Sequence, residues 1–195
     1  MSRIGRELQL TLQAAVREAS TRRHAFLTVE HLLYALLFDA RGVEILRNCG
    51  ARVERLMKEL ERFFAEDLEK APGTAPLETR QTLAFHRVLQ HAIQHVENAE
   101  KDEVEAGDIL AALFQEPDSH AVALLRGQGV SRLDILKYIA HGISKVPSPE
   151  ASGPAGRPER VAGVYVLELA ETKVVAVHRL AEERDYPLRA GTEPE

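Results

Sequence analysis

His91 and His95 stand four residues apart in a helical stretch, a spacing that sets two imidazoles on one helix face, where they could share a metal ion. His86 comes five residues before His91, a poorer fit, and neither a His-Glu start nor a third ligand accompanies the pair. A resident metal is therefore not expected. Cys49 is the lone cysteine, so no intramolecular disulfide can form, and a reducing, intracellular setting follows most simply. Its place after Leu46, near a helix end, predicts a buried, inert thiol. Glu30 and His31 open an apolar helix, and His31 reads as a partly buried structural histidine. No Ser/His/Asp or Cys/His spacing suggests a nucleophile. No G-x-x-x-x-G-K-[ST] string is present, so no backbone loop with its lysine would hold ATP phosphates by that route. The expectation is a non-enzyme with no catalytic residue and no cofactor.

The helices around those residues are organised by a repeat. Leu27-Thr28-Val29-Glu30-His31-Leu32-Leu33-Tyr34-Ala35-Leu36-Leu37 shares its apolar pattern with Val104-Glu105-Ala106-Gly107-Asp108-Ile109-Leu110-Ala111-Ala112-Leu113-Phe114, 77 positions later. Upstream, Leu12 to Val16 answers Leu89 to Ile93. Downstream, Leu46 to Gly50 answers Leu125 to Gly129 at a shift of 79, two residues having entered around Pro117. A self-similarity of this length marks a duplicated supersecondary unit, and two copies are too few for a solenoid. The expected fold is mainly α: a pseudo-two-fold, eight-helix bundle made from a duplicated four-helix unit, with a small C-terminal β-α-β segment.

Helical spacing places helices at about 4–20, 28–38, from Gly42 to a stop at Gly50, 53–64, 82–96, 106–114, 119–126 and 131–141. Thr28 and Thr82 are the expected N-caps of the second and fifth, and Ser131-Arg132-Leu133-Asp134 opens the eighth with a capping-box pattern. Glu105 stands in the cap position equivalent to Thr28 and is a weaker cap. Residues 66–80 form a polar connector with two proline breaks. Residues 1–145 make the helical domain, 146–160 a Pro/Gly/Ser linker and 161–195 a separate segment. In that segment Val161–Leu169 reads as a strand, Glu171–Arg184 as a helix and Leu188–Thr192 as a second short strand.

Composition narrows the partners. The formal net charge is −5 and no Lys/Arg block occurs, which argues against nucleic acid. Hydrophobic residues make up 45% of the chain, enough for a core, yet no apolar run approaches a membrane span and the first residues lack a signal-peptide core. The expected location is cytoplasmic.

Residues 1–145 resemble the N-terminal domain of ClpA-type chaperones, the unfoldases of the Clp protease. The likeness rests on His24-Ala25-Phe26-Leu27-Thr28-Val29-Glu30-His31-Leu32-Leu33, on Phe85-His86-Arg87-Val88-Leu89-Gln90, and on Val130-Ser131-Arg132-Leu133-Asp134 with Ile139-Ala140-His141-Gly142. Residues 160–195 resemble the last third of ClpS, the adaptor that docks on that domain, through Gly163-Val164-Tyr165-Val166-Leu167-Glu168-Leu169-Ala170-Glu171-Thr172-Lys173-Val174 and Ala181-Glu182-Glu183-Arg184-Asp185-Tyr186-Pro187-Leu188-Arg189. The adaptor's substrate-gripping front half has no counterpart here. The resemblance implies a non-catalytic interaction module of the Clp chaperone-protease system. Its partners would be a ClpS-type adaptor, a Clp unfoldase or substrate proteins, and the tail could dock on the chain's own helical domain. The other reading is a truncated or fused ClpA/ClpS remnant without a dedicated role. On the receiving side the resemblance places binding at Ala25, Phe26, Thr82 and Arg132, with Ala25 where ClpA has a Glu. On the adaptor side it places docking at Glu168 and Lys173. From the residues alone, Thr82 is a helix cap and Arg132, Glu168 and Lys173 are solvated charges.

Overall fold

The computed structural model describes residues 3–72 and 79–146 and, as two strands, 165–170 and 173–179. The chain divides into two compact units, Met1–Pro149 and Glu150–Glu195. The first holds β1 (Arg3–Ile4), α1 (Arg6–Thr21), β2 (Phe26–Leu27), α2 (Val29–Leu36), α3 (Ala40–Asn48), α4 (Val53–Glu66), β3 (Arg80–Gln81), α5 (Leu83–Asn98), β4 (Glu103–Val104), α6 (Ala106–Leu113), α7 (His120–Gly127) and α8 (Arg132–His141). The described part of the second unit holds β5 (Tyr165–Ala170) and β6 (Lys173–Arg179).

The two repeated stretches become α2 and α6. Every residue of both helices is buried, the state expected of a helix that is apolar all round. The remaining helices are amphipathic and turn one stripe inward: Leu8, Ala15 and Ala19 from α1; Leu56, Leu60 and Phe64 from α4; Phe85, Val88, Ala92 and Val96 from α5; Ile135 from α8. The chain crosses closely between α2 and α3. A Cβ on Gly42 would stand 2.5 Å from the Leu36 carbonyl oxygen, so only glycine fits there. Gly50 ends α3 with φ of +89°, as its place in the sequence predicted.

Short parallel strand pairs tie the halves together. Arg3 and Ile4 lie opposite Glu103 and Val104, and Phe26 and Leu27 opposite Arg80 and Gln81. These pairings are too short to carry a sequence signal, and the expectation contained neither.

The caps follow the sequence, with one change of chemistry. Thr82 Oγ1 accepts from the Phe85 amide (3.2 Å), and Ser131 Oγ accepts from the Asp134 amide (3.2 Å). At α2 the Thr28 amide instead donates to His31 Nδ1 (3.2 Å). At α6 the Glu105 amide donates to Asp108 Oδ2 (3.0 Å) in the same way. The side chain at the third helical position thus satisfies the backbone at both places.

The C-terminal segment departs from expectation. In place of the helix predicted over 171–184, residues Lys173–Arg179 form a strand antiparallel to β5, with Tyr165 opposite Arg179 and an irregularity at Glu168/Leu169. Lys-Val-Val-Ala-Val-His-Arg carries three valines in seven residues, and β-branched side chains lose rotamer freedom in a helix while suiting a pleated strand. The second strand expected at 188–192 lies outside the described residues, as does the linker after Val146.

Candidate protein-interaction face

The loop between α1 and α2 is set by a buried histidine pair. His24 and His31 are 2% and 0% exposed, and His24 Nδ1 lies 2.9 Å from His31 Nε2. The Thr28 amide can only donate, so His31 Nδ1 must accept, and His31 carries its proton on Nε2. That proton is given to His24 Nδ1, which leaves the His24 proton on buried Nε2, where the Phe64 carbonyl attracts it without a well-formed hydrogen bond. The Phe64 ring stacks on His31 at 4.6 Å and 16°, and the Arg22 guanidinium lies 5.0 Å from the Phe64 centroid. Burial, with His24 and Arg22 adding positive potential, pushes the His31 pKa down to about 3. His24 is lowered as well, first by burial, against the opposing effect of the Phe64 carbonyl.

This buried anchor holds the next residues outward. Ala25 is half-buried and Phe26 is 54% exposed, while Leu27 points into the core. The Arg80 amide donates to the Ala25 carbonyl (3.0 Å) and the Thr82 amide to the Leu27 carbonyl (3.0 Å). Thr82 Oγ1 also donates to the Leu27 carbonyl at 3.1 Å. The structure therefore brings Ala25, Phe26 and Thr82 together. Thr82, however, spends its hydroxyl within the chain, both as a donor and as a cap. Leu83, next along, is 78% exposed and presents a second apolar side chain beside this strand pair.

Two concavities border the strand pair. A groove of about 520 Å³ between α1 and α5 is lined by Leu12, Val16, Phe85 and Leu89, with Arg17 and Gln81 among its polar residues. A cleft of about 300 Å³ runs between the His24–Phe26 loop and residues 68–72, which the Ala71 amide fixes by donating to the Arg23 carbonyl (2.8 Å).

Arg132 is placed elsewhere. Its Nε donates to the Ala111 carbonyl (3.3 Å), and it shares a small polar cleft with His91, His95 and Asp108. Among the described residues no three His, Cys, Asp or Glu side chains converge to hold a metal. Cys49 is buried, and burial raises its thiol pKa to about 11. Of the two adaptor-like positions, Glu168 pairs with Ala176 and Lys173 with Ala170 in the β5–β6 register, and their side chains lie outside the described atoms. The sequence reading missed the groove and the His24–His31 contact, and its helical stripe set Leu83 on the buried face of the fifth helix, where the structure leaves it exposed.

A sequence profile described as the Clp repeat (R) N-terminal domain matches residues 3–128. The chain is 32% identical over 185 residues to a ClpA homolog protein of Fuscovulum blasticum, covering 94% of this chain and 23% of that protein. It thus spans about a quarter of that relative's length. A 35-residue stretch, 18% of the chain, is 57% identical to the Clp protease adapter protein ClpS of Desulfotalea psychrophila, covering 34% of it. Among solved structures, the fold resembles a complex of the ClpV N-domain with a VipB peptide at a TM-score of 0.57 and 22% identity, covering 71% of this chain and 86% of that one. No described helix is long and apolar enough to cross a membrane.

Proposed function

The chain belongs to the Clp repeat (R) N-terminal domain family, and from that premise we propose that it is a non-catalytic protein-interaction module of the Clp chaperone-protease system. It receives a ClpS-type adaptor or a substrate segment in the cytoplasm. One observation carries the reading: the exposed Phe26 and Leu83 stand in and just beyond the β2–β3 pair, and the apolar-lined α1–α5 groove, which Gln81 of β3 also lines, opens beside it. The ClpV N-domain, whose fold this chain shares, was solved with a peptide, which supports a peptide-receiving role. The halves are read as copies of one four-helix unit, because matched devices recur 77 positions apart: His31 and Asp108 satisfy equivalent amides, and His24 and Lys101 meet them at 2.9 and 3.7 Å. The ClpS-like tail would regulate the module by docking on it in cis, or on another copy.

The test is calorimetry with a purified ClpS-type adaptor. Binding at tens of micromolar or tighter is expected, weakened by Phe26→Asp or Val16→Asp, both at exposed positions. No heat from the full chain, nor from a chain shortened after residue 146, would remove the reading. Heat appearing only on shortening would show the tail occupying the site. A second reading is a fused remnant of a ClpA-type chain and a ClpS-type adaptor without a dedicated role, as the separate matches to the two proteins allow.

A further inference from the structure

The docking face has a charge as well as an apolar surface. Lys70 is exposed and lines the cleft that Phe26 also lines. Arg80 is exposed and lies directly opposite Phe26 in the strand register. Among the described residues neither has a carboxylate within 4.0 Å, while Arg22 at the same loop is neutralised by Glu18 at 2.6 Å. Arg23 Nη2 donates to the Pro72 carbonyl (3.2 Å), which ties this loop to residues 70–72 beside the cleft. Glu69 is the one carboxylate lining that cleft. This cationic rim stands on a chain whose formal net charge is −5.

We infer that this face selects a partner segment that is both apolar and acidic, its apolar side chains packing on Phe26 and Leu83 and its carboxylates meeting Lys70 and Arg80. The inference rests on the docking role proposed above and adds the partner's chemistry. Like-charge contact would repel a basic segment, so the rim discriminates as well as attracts. The contacts are solvent-exposed and therefore salt-sensitive, since charges are screened over about 8 Å at physiological ionic strength.

The experiment uses the full chain and a fluorescein-labelled peptide in which phenylalanines are separated by glutamates. Controls carry glutamine or lysine in place of glutamate, and binding is followed by anisotropy at low and high salt. The glutamate peptide should bind more tightly than the glutamine peptide by roughly two- to thirtyfold, the worth of two exposed ion pairs. The lysine peptide should bind weakest, and added salt should bring the three together. Lys70→Glu with Arg80→Glu, both at exposed positions, should reverse the order. If wild type binds the three equally, or the double reversal leaves the order unchanged, the inference is overturned. Phe26→Asp separates the two levels. Loss of all binding in that variant, with no charge discrimination in wild type, leaves docking standing and removes only the acidic preference. Unchanged binding in that variant removes both.

Discussion

Acidification should destabilise this fold well before its carboxylates titrate, because the His24–His31 contact is a one-way chain of hydrogen bonds. The Thr28 amide gives to His31, and His31 gives to His24. A proton added to either acceptor nitrogen sets two donors face to face in a site with no water-exposed escape. The sign follows from the shift. His31 has its folded pKa near 3 against an ordinary 6.5, so the unfolded chain binds the proton first. Stability is complete above pH 6.5 and falls as pH drops toward 3. At 1.36 kcal/mol per pKa unit, moving from pH 7.5 to 5 costs about 2 kcal/mol through His31 alone. Glu44 and Glu116 are held below the ordinary carboxylate range, first by hydrogen bonds from Tyr138 and Arg87 respectively, so their losses come at lower pH. Urea denaturation followed by circular dichroism between pH 7.5 and 5 measures the slope. His31→Gln should be less stable at pH 7.5 and markedly flatter across the window. An unchanged slope in that variant, or a flat wild type, would refute the reasoning.

Other outcomes follow from single contacts. Gly42→Ala drives a Cβ to 2.5 Å from a backbone oxygen that cannot swing aside, so it should cost about 1–3 kcal/mol, read as a lower urea midpoint with unchanged m-value. Glu30→Ala removes the buried acceptor of the Ala121 amide (3.2 Å) at the start of α7; a loss of about 1–3 kcal/mol is expected by thermal denaturation. Cys49, buried and with its pKa raised to about 11, should resist a thiol reagent at pH 8 in the native protein and react in urea; rapid native labelling would contradict its placement.

What the sequence made legible was whatever depends on neighbours along the chain. α2 and α6 declare themselves by the apolar runs Leu32–Leu37 and Ile109–Phe114, Thr82 and Ser131 by cap chemistry, and Gly50 by the stop it makes. What it hid depends on approach through space. Nothing in the spacing of His24 and His31 says that one imidazole donates to the other, and Phe64, which stacks on His31, comes 33 residues later. Two-residue strands carry no period, so the pairing of Phe26 with Arg80 was invisible, and with it the cationic neighbour of the proposed docking residue. The 173–179 segment shows the opposite failure: Val174, Val177 and Leu180 fit a helical stripe, but the intervening Val175 adds a β-branched run that also suits a strand, and a short window cannot rank the two periods.

The same offset that makes the repeat legible gives the two halves different responses to acid. At the positions of His24 and His31 the second half has Lys101 and Asp108, whose ammonium and carboxylate lie 3.7 Å apart. The first half has a histidine pair there, and the ordinary titration range of a histidine lies between pH 7 and 5. Acid should therefore loosen the first half's loop, which carries Phe26, before it touches the β1–β4 pair. Hydrogen exchange at pH 5, corrected for intrinsic rate, reads this directly. The Arg80 and Thr82 amides, bonded to the Ala25 and Leu27 carbonyls, should lose protection, while the Arg3 and Gly5 amides, bonded to the Asp102 and Val104 carbonyls, should keep it. If both pairs lose protection together, the opening is global and the histidine pair does not act locally. If only the first does, the docking face is the part of the fold that acid releases, and its affinity for an apolar, acidic segment should fall over the same pH range.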